Sequence, residues 1–161
     1  MNFPVRILAV ALVLVVISAG CLTTKIPSVS KPEAPVILVD YHRTGGISGV
    51  DDRLVIFDNG NAVYAGKSSG AELVLNATDL ELIKVLFNQS QYSQFESSYS
   101  APRDYPDLMT YAITYHGKTV TVEDTAIPPR LQPTIDNLNR IISRAGSSSS
   151  QNSRGFVNLT R

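Results

Sequence analysis

The chain has one cysteine, no tryptophan and two histidines in 161 residues. A single cysteine excludes an internal disulfide framework and any site built on paired cysteines. What folds must therefore be held by ordinary packing of Val, Leu, Ile, Tyr and Phe. The 14 basic side chains balance 14 acidic ones, and no basic cluster is long enough to track a phosphate backbone, so nucleic acid is not an expected partner. A Gly-x-Ser-x-Gly elbow, a Walker-type loop, His-Glu-x-x-His and Cys-x-x-Cys are all missing, so neither catalysis nor a cofactor is expected. A metal site would need His42 and His116 to converge with a carboxylate such as Asp124; both histidines are read instead as solvated surface side chains, and no metal is expected. Asp104 and Asp107, which could pair as acid and base, sit in a polar loop and read as solvated turn formers, as does the pair Asp51-Asp52.

The apolar run Ile7 to Ala19 is shorter than the stretch of about 20 residues that spans a bilayer. It follows one positive side chain, Arg6, and gives way to small residues, Cys21 and then Thr23, Thr24 and Lys25. Charged start, apolar middle and small-residue cleavage site are the order of a secretory signal, with an uncleaved transmembrane helix as the alternative. Ser18-Ala19-Gly20-Cys21 resembles the lipobox of prokaryotic lipoproteins, with Ser18 where an aliphatic residue is usual. The resemblance implies that Cys21 is lipidated and becomes the mature N-terminus. Each buried methylene contributes about 0.8 kcal/mol, so two acyl chains would hold the protein on the outer face of the cytoplasmic membrane.

Residues 22–34, LTTKIPSVSKPEA, carry prolines, lysines and hydroxyls without an apolar period and read as a tether. Residues 146–161 open with four serines and offer only Phe156, Val157 and Leu159 for burial, too little to offset ordering entropy, so this tail is expected to be disordered. Between them, residues 35–145 suffice for one domain with one modest core.

Within the domain, Ile37, Val39 and Tyr41 alternate as on a strand. Thr44 to Val50, TGGISGV, has three glycines and reads as a bent hairpin connection. Arg53 to Phe57 and Ala62 to Ala65 flank Asn59-Gly60, the signal of a tight hairpin in which both central residues take positive φ. A further extended piece covers Glu72 to Leu75. Thr78 and Glu81 have the spacing of a capping box, opening a helix whose stripe is Leu80, Ile83 and Phe87, widened by Leu82 and Leu86. A long connection, Gln89 to Asp107, holds Tyr92, Phe95 and Tyr99 as its apolar residues. Met109 to His116 and Lys118 to Asp124 form a second hairpin around Gly117. Leu131, Ile135, Leu138 and Ile142 recur at helical spacing in a segment expected to end before Gly146. The order of elements predicts an α+β domain: an antiparallel sheet of about four to five strands with two helices packed on one face. Asn76, Asn88 and Asn158 begin Asn-x-Ser/Thr triplets and are glycosylation candidates in a host that modifies exported proteins.

From Val36 to Ile142 the chain resembles the emfourin family, small protein inhibitors of thermolysin-like zinc metalloproteases. The pieces that carry the resemblance are Arg43-Thr44-Gly45-Gly46-Ile47-Ser48-Gly49 and Asp124-Thr125-Ala126-Ile127-Pro128-Pro129-Arg130-Leu131. The resemblance implies a metalloprotease as partner, inhibited by a protein that needs no catalytic residues of its own; the secretory signal makes that partner extracytoplasmic, and the chain is expected to be a monomer. An inhibitor of that class blocks a cleft with a rigid loop whose apolar side chain fills a pocket. Thr44, Gly45, Gly46, Ile47, Ser48 and Gly49 form the candidate loop, and Ile47 must either find a partner outside the domain or fold back to cap the core. The second candidate surface is Tyr99 to Leu108, including Tyr105 and Asp107, with Asp104 or Asp107 as a carboxylate that could face the zinc. The alternative function is a structural or adhesive surface lipoprotein that keeps the fold and binds another envelope protein or a glycan.

Overall fold

A computed structural model of the chain describes residues 34–102 and 107–155, with side chains up to residue 147. The expectations for the signal, Cys21, the tether, Asp104, Tyr105 and Asn158 lie outside the described residues. Seven strands form one sheet: β1 (Ile37–Gly45), β2 (Val50–Phe57), β3 (Asn61–Ala65), β4 (Gly70–Val74), β5 (Ser98–Tyr99), β6 (Met109–Tyr115) and β7 (Lys118–Glu123). Helix α1 (Ala77–Gln89) follows β4, and α2 (Gln132–Gly155) follows β7. The sheet order is β4-β3-β2-β1-β6-β7-β5. All neighbours are antiparallel except β5, which runs parallel to β7. The described residues thus form an α+β fold with two α-helices, and the expected antiparallel strands sit within a larger, mixed sheet.

The extra strand comes from the connection after α1. A short 3-10 turn at Tyr92–Gln94 precedes β5. Tyr92 and Phe95 are buried there, and the Tyr92 hydroxyl donates to the Ile113 carbonyl at 2.6 Å. Lys118 Nζ donates to the Ser93 and Phe95 carbonyls. Two buried aromatic side chains and the Lys118 ammonium draw this polar segment onto the β7 edge.

Period-two alternation gives the sheet one buried face. Val39 and Tyr41 on β1, Leu54 and Ile56 on β2, Ile113 on β6, and Val120 and Val122 on β7 are all fully buried. Both helices cover this face. Phe87 of α1 stacks on Tyr115 of β6 at 4.0 Å between ring centroids, and the Tyr41 hydroxyl donates to Asn139 of α2 at 2.9 Å. Leu131, Ile135, Leu138 and Ile142 are buried as their spacing implies, each such side chain contributing roughly 1.5–3 kcal/mol. The opposite face of the sheet is open and carries the ion pairs Arg53–Asp40 and His42–Asp51.

Several local expectations are corrected. The cap of α1 is Asn76, whose Oδ1 accepts from the Asp79 amide at 2.8 Å, so the helix begins before Thr78. Asn76 holds the extended φ/ψ that a cap requires, while Thr78 is already inside the first turn. Leu82 lies outside the buried stripe, 39% exposed. In the β2–β3 turn only Gly60 has positive φ. It donates back to the Phe57 carbonyl, closing a three-residue loop in place of a two-residue one. The β6–β7 turn is the one in which both central residues, His116 and Gly117, take positive φ. Helix α2 does not stop at Gly146 but continues to Gly155. Ser143 and Ser147 donate their hydroxyls to the Asn139 and Arg144 carbonyls, so these serines satisfy themselves within the helix, and adding each residue to a formed helix needs only one further hydrogen bond.

Candidate functional site

At the end of β1 the backbone must reverse within the segment Gly46–Gly49 to start β2. Gly45, Gly46 and Gly49 all take positive φ, at 107°, 68° and 58°, conformations that side-chain-bearing residues rarely adopt. The Gly49 amide closes the turn on the Gly46 carbonyl at 2.9 Å. Ile47 stands at the tip, 91% exposed, with Ser48 and Gly49 exposed beside it. The option that Ile47 folds back into the core is therefore not taken.

The loop is braced from one side by the segment that precedes β6. Gly45 pairs with Met109, and the Gly46 amide donates to the Leu108 carbonyl at 3.3 Å. Asp107 is exposed immediately before this contact and takes a left-handed φ of 62°. The two surfaces nominated from sequence, the glycine-rich loop and the end of the 99–108 segment, are thus neighbours at one end of the sheet. Thr44, the last residue but one of β1, pairs with Asp51 on one side and Thr110 on the other.

Beneath the loop, the buried face of the sheet changes from apolar to polar. Arg43 donates from Nε to Asp52 Oδ2 at 2.9 Å, with Nη2 2.8 Å from the same oxygen. The Tyr64 hydroxyl donates to Asp52 Oδ1 at 2.9 Å. Asn139 Oδ1 accepts from both Arg43 Nη1 and the Tyr41 hydroxyl, and Tyr111 donates to Asp124 Oδ1. Asp52 is buried, so the reading of Asp51-Asp52 as a solvated turn pair is corrected: Asp52 is a strand residue that joins β1, β2 and β3. Burial raises the Tyr111 hydroxyl to about 12, with the Asp124 hydrogen bond adding to the effect. Burial likewise raises Tyr64, reinforced by Asp52. Tyr41 is raised further still, again mainly by burial, with Tyr111 adding to it and Arg43 opposing it. The network keeps these phenols neutral and ties the root of the loop to α2.

The remaining candidates are dispersed. His42 is a mid-strand residue paired with Asp51 at 2.7 Å, whereas His116 is exposed in the β6–β7 turn. Asp124 accepts from Tyr111 instead of approaching either histidine. Among the described residues no group of three His, Cys, Asp or Glu side chains is placed to hold a metal ion. Asn76 and Asn88 are both exposed, one capping α1 and one near its end. Asn88 also lines a cavity of about 340 Å³, with Phe87, Gln91, Tyr92, Tyr115 and His116 among its walls. No protein-family model and no curated protein matches this chain.

Proposed function

We propose that the protein is a membrane-tethered, extracytoplasmic binding protein that inhibits a thermolysin-like zinc metalloprotease by presenting the Ile47 loop. The observation that carries this reading is Ile47 itself: a large aliphatic side chain, 91% exposed, on a turn that three glycines allow and that the Gly49–Gly46 and Gly46–Leu108 backbone hydrogen bonds hold. An apolar side chain left in water at the tip of a preorganised loop costs little ordering entropy when a pocket receives it. Ile47 would fill an apolar subsite of the cleft, while the exposed backbone of Ile47 and Ser48 pairs with the cleft's strand. Asp107, beside the loop, supplies a carboxylate within the same contact surface. Inhibition of this kind uses no group transfer by the protein itself. The emfourin resemblance and the lipobox-like Cys21 supply the partner class and the tether.

A titration of the protein lacking residues 1–21 against a panel of thermolysin-like enzymes, followed with a fluorogenic peptide, tests the reading. Stoichiometric loss of activity is the expected outcome. The second reading, a surface lipoprotein that binds a glycan or an envelope protein, is favoured by the aromatic-floored cavity beside Asn88. It predicts binding that survives Ile47→Asp and leaves every protease active.

A further inference from the structure

The strands of the sheet run between two poles, and the exposed apolar side chains are not shared evenly between them. At one pole β1 ends and the loop of Ile47 stands out. At the other the chain enters β1, β2 turns into β3, and β4 ends. Of the large apolar side chains exposed among the described residues, Val36, Ile37, Val63 and Val74 gather at this entering pole, at 58%, 53%, 41% and 83% exposure. Leu82 and Val85 lie on α1, and Ile47 stands alone at the opposite end.

The register explains the gathering. A bulge between Ile37 and Val39 lets Leu38 and Val39 both be buried while Ile37 stays exposed. Ile37 faces Phe57 across β1 and β2, Val55 faces Val63 across β2 and β3, and Asn61 faces Val74 across β3 and β4. A cavity of about 300 Å³ opens here, with Pro35, Phe57, Val63 and Val74 in its walls. Further along the same open face the pattern changes to the ion pairs Arg53–Asp40 and His42–Asp51. The apolar patch is thus confined to the end at which the chain arrives.

We infer that this pole is the bilayer-facing surface of the domain and docks on the lipid to which the N-terminus is anchored. The inference rests on the membrane-tethered reading given above. Only 13 residues, 22–34, separate Cys21 from Pro35, and even fully extended they reach no more than about 45 Å, so a lipid on Cys21 holds Val36 and its neighbours near the headgroups at high effective concentration. A patch too small to bind lipid on its own then suffices to orient a tethered domain. The patch contains no lysine or arginine and includes Glu72, so apolar insertion drives the contact, and raising the salt concentration leaves it in place. Docked in this way, the domain points Ile47 away from the membrane, toward a soluble enzyme.

The test uses the full-length protein from its export host, reconstituted in vesicles of phosphatidylcholine and phosphatidylglycerol. Val74→Cys and Ile47→Cys proteins each carry one fluorophore on the introduced thiol, and the vesicles contain lipids spin-labelled near the headgroup. Mass measurement of Cys21 and flotation with the vesicles establish the anchor separately. Quenching of the Val74 label at least about threefold greater than that of the Ile47 label, and reduced in the exposed-site variant Val36→Asp, is the expected result. Floating protein whose two labels are quenched equally, or whose Val74 label is not quenched, overturns the docking while leaving the tether standing. Protein that carries no lipid and fails to float overturns both.

Discussion

Gly45 lies against Leu108 so closely that a β-carbon on it would fall 2.3 Å from the Leu108 carbonyl oxygen. The obstacle is backbone, on a strand held between β2 and β6, and the φ of Gly45 is itself positive. Gly45→Ala should therefore destabilise the domain by about 2 kcal/mol or more and displace the loop relative to Leu108. Chemical denaturation monitored by circular dichroism reads the first effect, and loss of the proposed protease binding reads the second.

The salt bridge beneath the loop makes a graded prediction. Arg43 and Asp52 have side chains only 24% and 12% exposed, and removing one partner leaves the other charge poorly solvated. Asp52→Ala should cost about 3–5 kcal/mol, because both carboxylate oxygens are in use. Tyr64→Phe removes a single bond to that carboxylate and should cost about 1.5–3 kcal/mol. Denaturation midpoints of the two variants check the order.

Capping of α1 separates two residues that the sequence makes equally attractive. Asn76→Ala should cost about 1 kcal/mol, whereas Thr78→Ala, inside the first turn, should change stability by less than about 0.5 kcal/mol. The reverse order in thermal or urea denaturation would contradict the observed cap.

Alkaline pH should weaken the fold. Tyr111 binds its proton more tightly when folded, with a value of about 12 against an ordinary 10. Its contribution is therefore complete below pH 10 and is lost as pH rises from 10 through 12, because the unfolded chain releases the phenolic proton first. Urea midpoints at pH 8 and pH 11 should differ less in Tyr111→Phe than in the unaltered protein.

Much of the fold was legible because alternation and helical spacing record burial directly. Val39, Tyr41, Leu54 and Ile56 follow period two, and Leu131, Ile135, Leu138 and Ile142 follow the helix, so strands and helices could be placed on one shared core. The polar network was present in the same alternation: Arg43 continues the inward series Val39, Tyr41, and Asp52 begins the inward series Leu54, Ile56. Opposite charges in register on adjacent strands were the signal, masked by the habit of reading charge as surface. β5 was hidden because a two-residue strand has no period, and the segment leading into it is held by Lys118 and the Ile113 carbonyl from elsewhere in the fold. Ile47 was ambiguous because its exposure is decided by the Leu108 carbonyl, which lies far along the chain. Continuation of α2 beyond Gly146 ran against composition, and Ser147 there bonds back to the Arg144 carbonyl within the helix.

The most direct test of the proposed inhibitory role of the Ile47 loop is to compare the unaltered protein and Ile47→Asp as inhibitors of the same thermolysin-like metalloprotease, together with their urea midpoints. Ile47 is exposed and supports nothing in the core, so the midpoints should coincide. Its replacement should weaken inhibition by about 100-fold or more, as expected for a central interface anchor. Equal inhibition by the two proteins, or no inhibition by either while both are folded, would contradict the assignment of the loop as the protease-binding element.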